Sequence, residues 1–195
     1  MKRLLDLVLG SALVVFLSPL LLGCVILVKV GSKGPFLFKQ KRVGKDGRPF
    51  VIYKFRTMVV GAETRGAGLY TVRDDPRFTR IGLILRRWSL DEMPQLLNVL
   101  QGAMSLVGPR PLPHQIVERY PNEFARILKV KPGLTGPSQI SGRSGLSRSE
   151  RMELDVDYAE TNSLLLDLMI LCRTLPVVLT GSGQVNYVEE NEVER

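Results

Sequence analysis

Residues 7–28, LVLGSALVVFLSPLLLGCVILV, decide the architecture of this chain. The run carries no charge. As a helix it reaches about 33 Å, enough for the hydrocarbon core of a bilayer. It is too long for a signal-peptide core, and no small-x-small cleavage site precedes Lys29. Ser18-Pro19 falls near its middle. Proline lacks a backbone donor and clashes with the carbonyl four residues back, so a kink or break is expected there, with the Ser18 hydroxyl satisfying part of the freed backbone. Lys2 and Arg3 flank one end; Lys29, Lys33, Lys39, Lys41 and Arg42 follow the other. Positive residues mark the cytoplasmic side of a membrane, and here they mark both ends. A helix–break–helix over residues 1–30 that dips in and returns satisfies this pattern. The alternative is a straight spanning helix with a tolerated proline.

The remainder suits one globular domain with a sizeable core. The chain has 195 residues and a net charge of +8, which favours anionic partners or simply a solvated basic surface. Cys24 and Cys172 both sit in apolar runs and are expected to be buried thiols. With one histidine, His114, and no Cys/His cluster, neither a disulfide framework nor a zinc site is indicated.

Downstream of the turn-rich residues 31–34, PFLFKQKRVGKDGRPFVIYKFRTM reads as two strands around Gly44-Lys45-Asp46-Gly47. Residues 60–80 read as a loop with a short helical turn, and IGLILRRW (81–88) as an amphipathic helix. ERYPNEFARILKV (118–130) and residues 148–162 read as helices, with a Gly/Pro-rich loop, KPGLTGPSQISGR (131–143), between them. SLLLDLMILCRTLPVVLTG (163–181) is apolar but interrupted by Asp167, Arg173 and Pro176, as in a core or interfacial amphipathic helix. The fold class is therefore α/β: a single α-rich domain with a small β-hairpin, a re-entrant membrane segment and interfacial helices.

The chemistry concentrates in residues 90–111, LDEMPQLLNVLQGAMSLVGPRP. An acidic pair, Asp91-Glu92, precedes an apolar helical run, and Arg80, Arg86 and Arg87 crowd the approach. Carboxylates among guanidinium groups suit phosphate chemistry with a divalent metal. The bland reading is a helix start, with Ser89 and Glu92 in a capping box or Asp91 as the cap. Nearby arginines and a helix N-terminus are expected to keep the Asp91 pKa low.

Taken in order, Ser18-Pro19, YKFRTM (53–58), DDPRFTRIG (74–82), LDEMPQLLNVL, MSLVGPRP, KPGLTG (131–136), QISGR (139–143) and ELDVDY (153–158) resemble the bacterial sugar transferases of the monotopic, PglC-like phosphoglycosyl transferase type. The resemblance covers nearly the whole chain. It implies transfer of a sugar 1-phosphate from a UDP-sugar to polyprenyl (undecaprenyl) phosphate with release of UMP, the first membrane step of glycoconjugate or exopolysaccharide assembly. It further implies a re-entrant segment broken at Ser18 and Pro19, a cytoplasmic catalytic domain over 31–187 with a solvated tail at 188–195, and residence on the cytoplasmic face of the bacterial inner membrane.

Carried onto this chain, Asp91 is the nucleophile and Glu92 its partner, the two holding Mg2+. Arg86 is the leading phosphate clamp. Arg110, between Pro109 and Pro111, belongs to the uridine side. Arg143, Lys54, Arg56, Thr135 and Asp155 are further phosphate or substrate candidates, each equally readable as a surface cation, a turn residue or part of a helix face. A homodimer and downstream glycosyltransferases are implied partners. Val59-Val60, TRGAGLYTV (64–72) and LPHQIVERY (112–120) depart from the common pattern and bear on the sugar pocket rather than the acidic pair.

Three rival classes remain, and one of them, a lipid-phosphate transferase or phosphatase with several spans, is disfavoured by the single convincing membrane segment. A membrane-anchored protein binding anionic lipid explains the anchor and charge but not the ordered motifs. A nucleic-acid-binding protein is disfavoured because no helix-turn-helix, zinc or RNP motif is present.

Overall fold

A computed structural model describes residues 1–66, 68, 71–72, 74–142 and 146–180. The tail at 188–195 and the boundary at 187 lie outside the described residues. Helix α1 (Lys2–Gly31) comes first, followed by strands β1 (Leu37–Val43) and β2 (Pro49–Phe55). Next are α2 (Arg80–Arg87), a 3₁₀ segment (Leu90–Gln95) continuing into α3 (Leu96–Gln101), and β3 (Ser105–Val107). The chain then forms α4 (His114–Val117), α5 (Pro121–Ile127), β4 (Gly133–Thr135), α6 (Pro137–Ile140), α7 (Arg148–Thr161) and α8 (Leu164–Leu179).

α1 is the one described helix long and apolar enough to cross a membrane. Pro19 lies inside it without dividing it, so the expected break at Ser18-Pro19 does not split the segment into two helices, and the Ser18 hydroxyl donates to the Val15 carbonyl at 2.8 Å. Val15 is four residues before Pro19, so the hydroxyl reaches the carbonyl that the proline cannot serve. Both ends of α1 rest on the same domain. Near the N-terminus Lys2 pairs with Asp167 at 2.5 Å, and Asp6 accepts from Ser105 Oγ and Leu106 N, both at 2.9 Å. Near the other end, Cys24 and Val28 pack with Phe55 and Leu85. Between these anchors Val15, Phe16 and Leu22 are exposed, Phe16 by 80%.

The expected hairpin is present. β1 and β2 pair antiparallel from Leu37 opposite Phe55 to Val43 opposite Pro49. Asp46 (φ 55°) and Gly47 (φ 74°) take left-handed backbone in the connection, as a tight reversal requires. α3 covers β2 through one side chain. The buried Asn98 accepts from Tyr53 N at 3.1 Å and donates to Val51 O at 2.7 Å, replacing the partners a third strand would supply.

The second sheet was not visible in the sequence. Three-residue strands β3 and β4 pair in parallel, Ser105 with Gly133 and Val107 with Thr135. The main core joins both sheets to the helices, with Ile52, Leu96, Val99, Met104, Leu106 and Ile170 buried together and Leu9, Val14 and Leu17 of α1 packed on them. Ser147 and Glu150 form a reciprocal cap at the start of α7. α8 buries Asp167 and Ile170 and leaves Leu165, Leu175 and Leu179 exposed. Cys24 is buried as expected, whereas Cys172 faces outward from α8 and is exposed.

Candidate active site

Three elements converge on Asp91 and Glu92. The first is the 3₁₀ segment itself, entered through Ser89 in the left-handed region (φ 55°). Neither of the two caps offered by the sequence forms: the Ser89 side chain makes no capping hydrogen bond, Asp91 lies inside the 3₁₀ segment, and Glu92 turns to other partners. The 3₁₀ turn also accommodates Pro94, whose missing N–H would interrupt an α-helix at its fifth position.

The second element is β2, which presents Lys54. Its Nζ donates to Glu92 Oε1 at 2.7 Å. The third is the Pro109-Arg110-Pro111 loop leaving β3. Arg110 donates to Glu92 through Nη2 at 2.8 Å and Nη1 at 3.4 Å. Glycines hold this loop in place. A Cβ on Gly133 would lie 2.0 Å from Gly108 N, and one on Gly136 would lie 2.1 Å from Gly108 O. The Gly108-Pro109-Arg110-Pro111 turn therefore lies backbone against backbone on the Gly133-Leu134-Thr135-Gly136 strand, and Gly133 N donates to Pro109 O at 2.9 Å. That contact sets where Arg110 emerges.

The two adjacent carboxylates differ sharply. Burial pushes the Glu92 carboxyl up, but Arg110 and Lys54 more than offset this and hold it well below the usual range. Asp91 is 7% exposed and receives no hydrogen bond among the described residues. Burial first, and then the neighbouring Glu92, raise its pKa, against opposing pulls from Lys54, Arg86 and Arg110. The expectation of a lowered Asp91 is thus corrected. Desolvation and the like charge next door outweigh the cations, and the pair titrates together with Glu92 holding its charge to lower pH.

Most of the other sequence candidates surround the same cavity. Arg86 and Asp155 line the same cavity as Asp91. Arg86 stacks its guanidinium 4.8 Å from the Phe78 ring centre. Asp155, on α7, accepts from Arg110 N at 3.3 Å through Oδ2, and Ser138 also bears on its carboxylate. Burial pushes its carboxyl up to about 6, against the pull of Ser138 and Arg110. Pro109 and Pro111 act through their carbonyls, accepting from Gly133 N and from Arg42 Nη1.

Arg56 and Thr135 line the cavity too and also brace the fold, with Arg56 Nε and Nη1 buried without a partner among the described residues. Arg56 is buried and donates to Ser32 O at 2.7 Å and Ser32 Oγ at 2.8 Å, bracing the exit from α1. Thr135 shares a 2.8 Å hydroxyl contact with Thr174 of α8. Thr174 spends its own proton on Ile170 O, so Thr135 is the donor. Arg143 lies outside the described residues.

Sequence reasoning missed Arg42 and Asn98. Arg42 lines the cavity, and burial with the nearby Arg110 lowers its pKa to about 10. The only signal for Asn98 was a polar residue inside an apolar helical run.

The cavity measures about 1450 Å³. Its charged floor holds Lys54, Asp91, Glu92 and Arg110. Its walls become apolar toward the middle of α1, at Leu13, Phe16 and Leu20, and toward the end of α8, at Leu175 and Leu179.

The bacterial sugar transferase family matches residues 1–181. This chain belongs to that family. It is 44% identical to the uncharacterized sugar transferase EpsL of Bacillus subtilis (strain 168), over 96% of this chain and 93% of that protein. It is 43% identical to the UDP-glucose:undecaprenyl-phosphate glucose-1-phosphate transferase of Caulobacter vibrioides, over 92% of this chain and 70% of that one. Identity to the UDP-N-acetylgalactosamine-undecaprenyl-phosphate N-acetylgalactosaminephosphotransferase of Aeromonas hydrophila is 38%, over 93% of this chain but only 44% of the longer relative. Relatives of this transferase thus carry names for different sugars on one lipid acceptor.

Proposed function

We propose that this transferase moves a sugar 1-phosphate from a UDP-sugar to polyprenyl phosphate in two steps through Asp91. The observation that carries the reading is the contrast within the acidic pair: Glu92 is tied by Lys54 and Arg110, while Asp91 keeps a free carboxylate at the cavity floor. A carboxylate held that way is a competent nucleophile toward phosphorus.

In the first step an Asp91 oxygen bonds to the sugar-bearing phosphorus, and the bond from that phosphorus to the bridging oxygen breaks. UMP leaves with the bridging oxygen. In the second step an oxygen of the lipid phosphate attacks the same phosphorus. The bond to Asp91 breaks, giving a polyprenyl diphosphate sugar and restoring the carboxylate. Arg110 on the uridine side, with Arg86 and Lys54, neutralises the charge that moves onto the leaving phosphate.

Mg2+ fits this site through Asp91, where it would neutralise the diphosphate of the donor while keeping several waters. Glu92 is the poorer ligand, since its oxygens are occupied by Lys54 and Arg110.

The membrane reading is the re-entrant one, with the catalytic face on the cytoplasmic leaflet. Both ends of α1 resting on one domain, with an exposed apolar middle, support it. The apolar walls near α1 and α8 suit a lipid acceptor. Homodimerisation and hand-over of the product to downstream glycosyltransferases belong to the same reading.

The test is single-turnover chemistry without lipid. Purified protein, Mg2+ and a reactive UDP-sugar should release about one UMP per enzyme, and the mass increase should map to Asp91. UMP release that strictly requires polyprenyl phosphate would replace the two-step scheme with direct displacement.

A further inference from the structure

β1 runs along the cavity, lining it from Leu37 to Gln40 and again at Arg42. Phe38, Gln40 and Arg42 are half-buried and line it, while Lys39 and Lys41 between them are exposed. Two polar atoms of this row lack partners among the described residues: Gln40 Oε1 and Arg42 Nε are both buried without a hydrogen bond. Gln40 is held from its other end, its Nε2 donating to Glu63 on the 3₁₀ turn Ala62–Thr64. Arg42 is held by its Nη1, which donates to Pro111 O at 3.2 Å. Both side chains are therefore fixed with an unserved atom each. Residues two apart on a strand stand about 6.6 Å apart, roughly the width of a sugar ring.

Leaving a buried donor and a buried acceptor unmade is costly, so such a pair in a cavity points to a ligand that serves both. Gln40 Oε1 and the Glu63 carboxylate need donors; Arg42 Nε needs an acceptor. Hydroxyl groups do both. Uracil offers a single N–H against two carbonyl oxygens, the reverse of the ratio required here. Arg42 also feels Glu92 and Arg110, so this row begins beside the charged floor where a phosphate would sit.

We propose that Gln40, Arg42 and Glu63 form a hydroxyl-reading subsite for the donor and contribute to the choice of sugar nucleotide. The proposal rests on the cavity being a UDP-sugar site. A UDP-sugar carries two diol-bearing rings, the transferred sugar and the ribose, and the experiment separates them.

The full-length protein is compared with Gln40→Met and Glu63→Gln, with the exposed Lys41→Ala as control. UMP release is measured with UDP-glucose and its 4-epimer UDP-galactose, together with inhibition by UMP. Binding is followed by the fluorescence of Trp88, the single tryptophan, which lines the cavity. Gln40→Met should lower kcat/KM for the better donor about tenfold or more, with a smaller loss for Glu63→Gln and none for Lys41→Ala.

If the ratio between the epimers falls toward one while the UMP inhibition constant stays fixed, the subsite reads the transferred sugar. If the inhibition constant rises with KM and the ratio holds, it reads the ribose. Wild-type turnover with KM, ratio and inhibition constant unchanged in Gln40→Met and Glu63→Gln would overturn the subsite alone. A wild type that neither binds nor cleaves any UDP-sugar would overturn the reading beneath it as well.

Discussion

Two polar networks in this molecule are built from similar parts. At the foot of α1, Lys2 meets Asp167, Val107 O and the Tyr158 hydroxyl, and Tyr158 donates to Asp167 in turn. Beside it Asp6 accepts from Ser105 and from Leu106 N through one oxygen. At the cavity floor Lys54 and Arg110 meet Glu92, but Asp91 and Arg42 Nε are left over. The first network closes on itself and the second does not. A closed set of charges fixes geometry; an open one keeps binding capacity for something that arrives later. The location of the closed set is telling. Lipid tails give apolar helix faces no reason to prefer protein, so directional contacts must set where a membrane segment docks.

The sharpest way to separate the two networks is to cut each at its central carboxylate. Asp91→Asn should reduce UMP release by at least about a thousandfold, since an amide forms no covalent adduct. Its melting temperature near pH 7 should hold or rise. The Asp91 pKa is raised in the fold, so the unfolded chain ionises first as pH climbs, and the charged form weakens the folded state at neutral pH. A variant with near-normal turnover would sink the assignment.

Asp167→Ala should do the reverse. It strips the Lys2 ammonium and the Tyr158 hydroxyl of their shared acceptor, and denaturation should show a loss of about 2–3 kcal/mol. Lys2 is a third exposed and recovers some solvation, which keeps the figure modest. Turnover per folded molecule should change little.

Lys54→Met opens the catalytic network further without removing a carboxylate. Lys54 lowers the Asp91 pKa, so its loss raises it, and the acid limb of the activity profile should move to higher pH by roughly a unit or less. A limb that moves down would contradict the charge assignments. The smallest effect belongs to Ser105→Ala. Asp6 keeps its bond from Leu106 N, so calorimetry should record about 1 kcal/mol and assays no change.

Much of this was legible in the residues. The hairpin announced itself by a glycine-rich reversal between β-rich runs, α2 by its period, and the acidic pair by its company of cations. What stayed hidden depended on contacts distant in sequence. β3 and β4 are too short to show a period of two, and their partners stand 28 residues apart, as Ser105 and Gly133 do. Asp167 read as an interruption of an apolar helix because Lys2, 165 positions away, could not be seen beside it. The direction of the Asp91 shift depended on how completely the site is dried, which spacing does not report. Arg56 and Thr135 line the cavity as their residue types suggested, but their bonds to Ser32 and Thr174 across the fold were not readable from spacing.

The glycines beneath Arg110 carry a consequence for how this molecule can vary. Gly133 and Gly136 each face the main chain of Gly108, and Gly108 faces that of Lys131 and Pro132. Main chain cannot be trimmed by a second substitution the way a neighbouring side chain can. The three positions therefore have no compensating partners, and a mutant library aimed at new donors should hold them constant while randomising the strand and turn around Gln40 and Glu63.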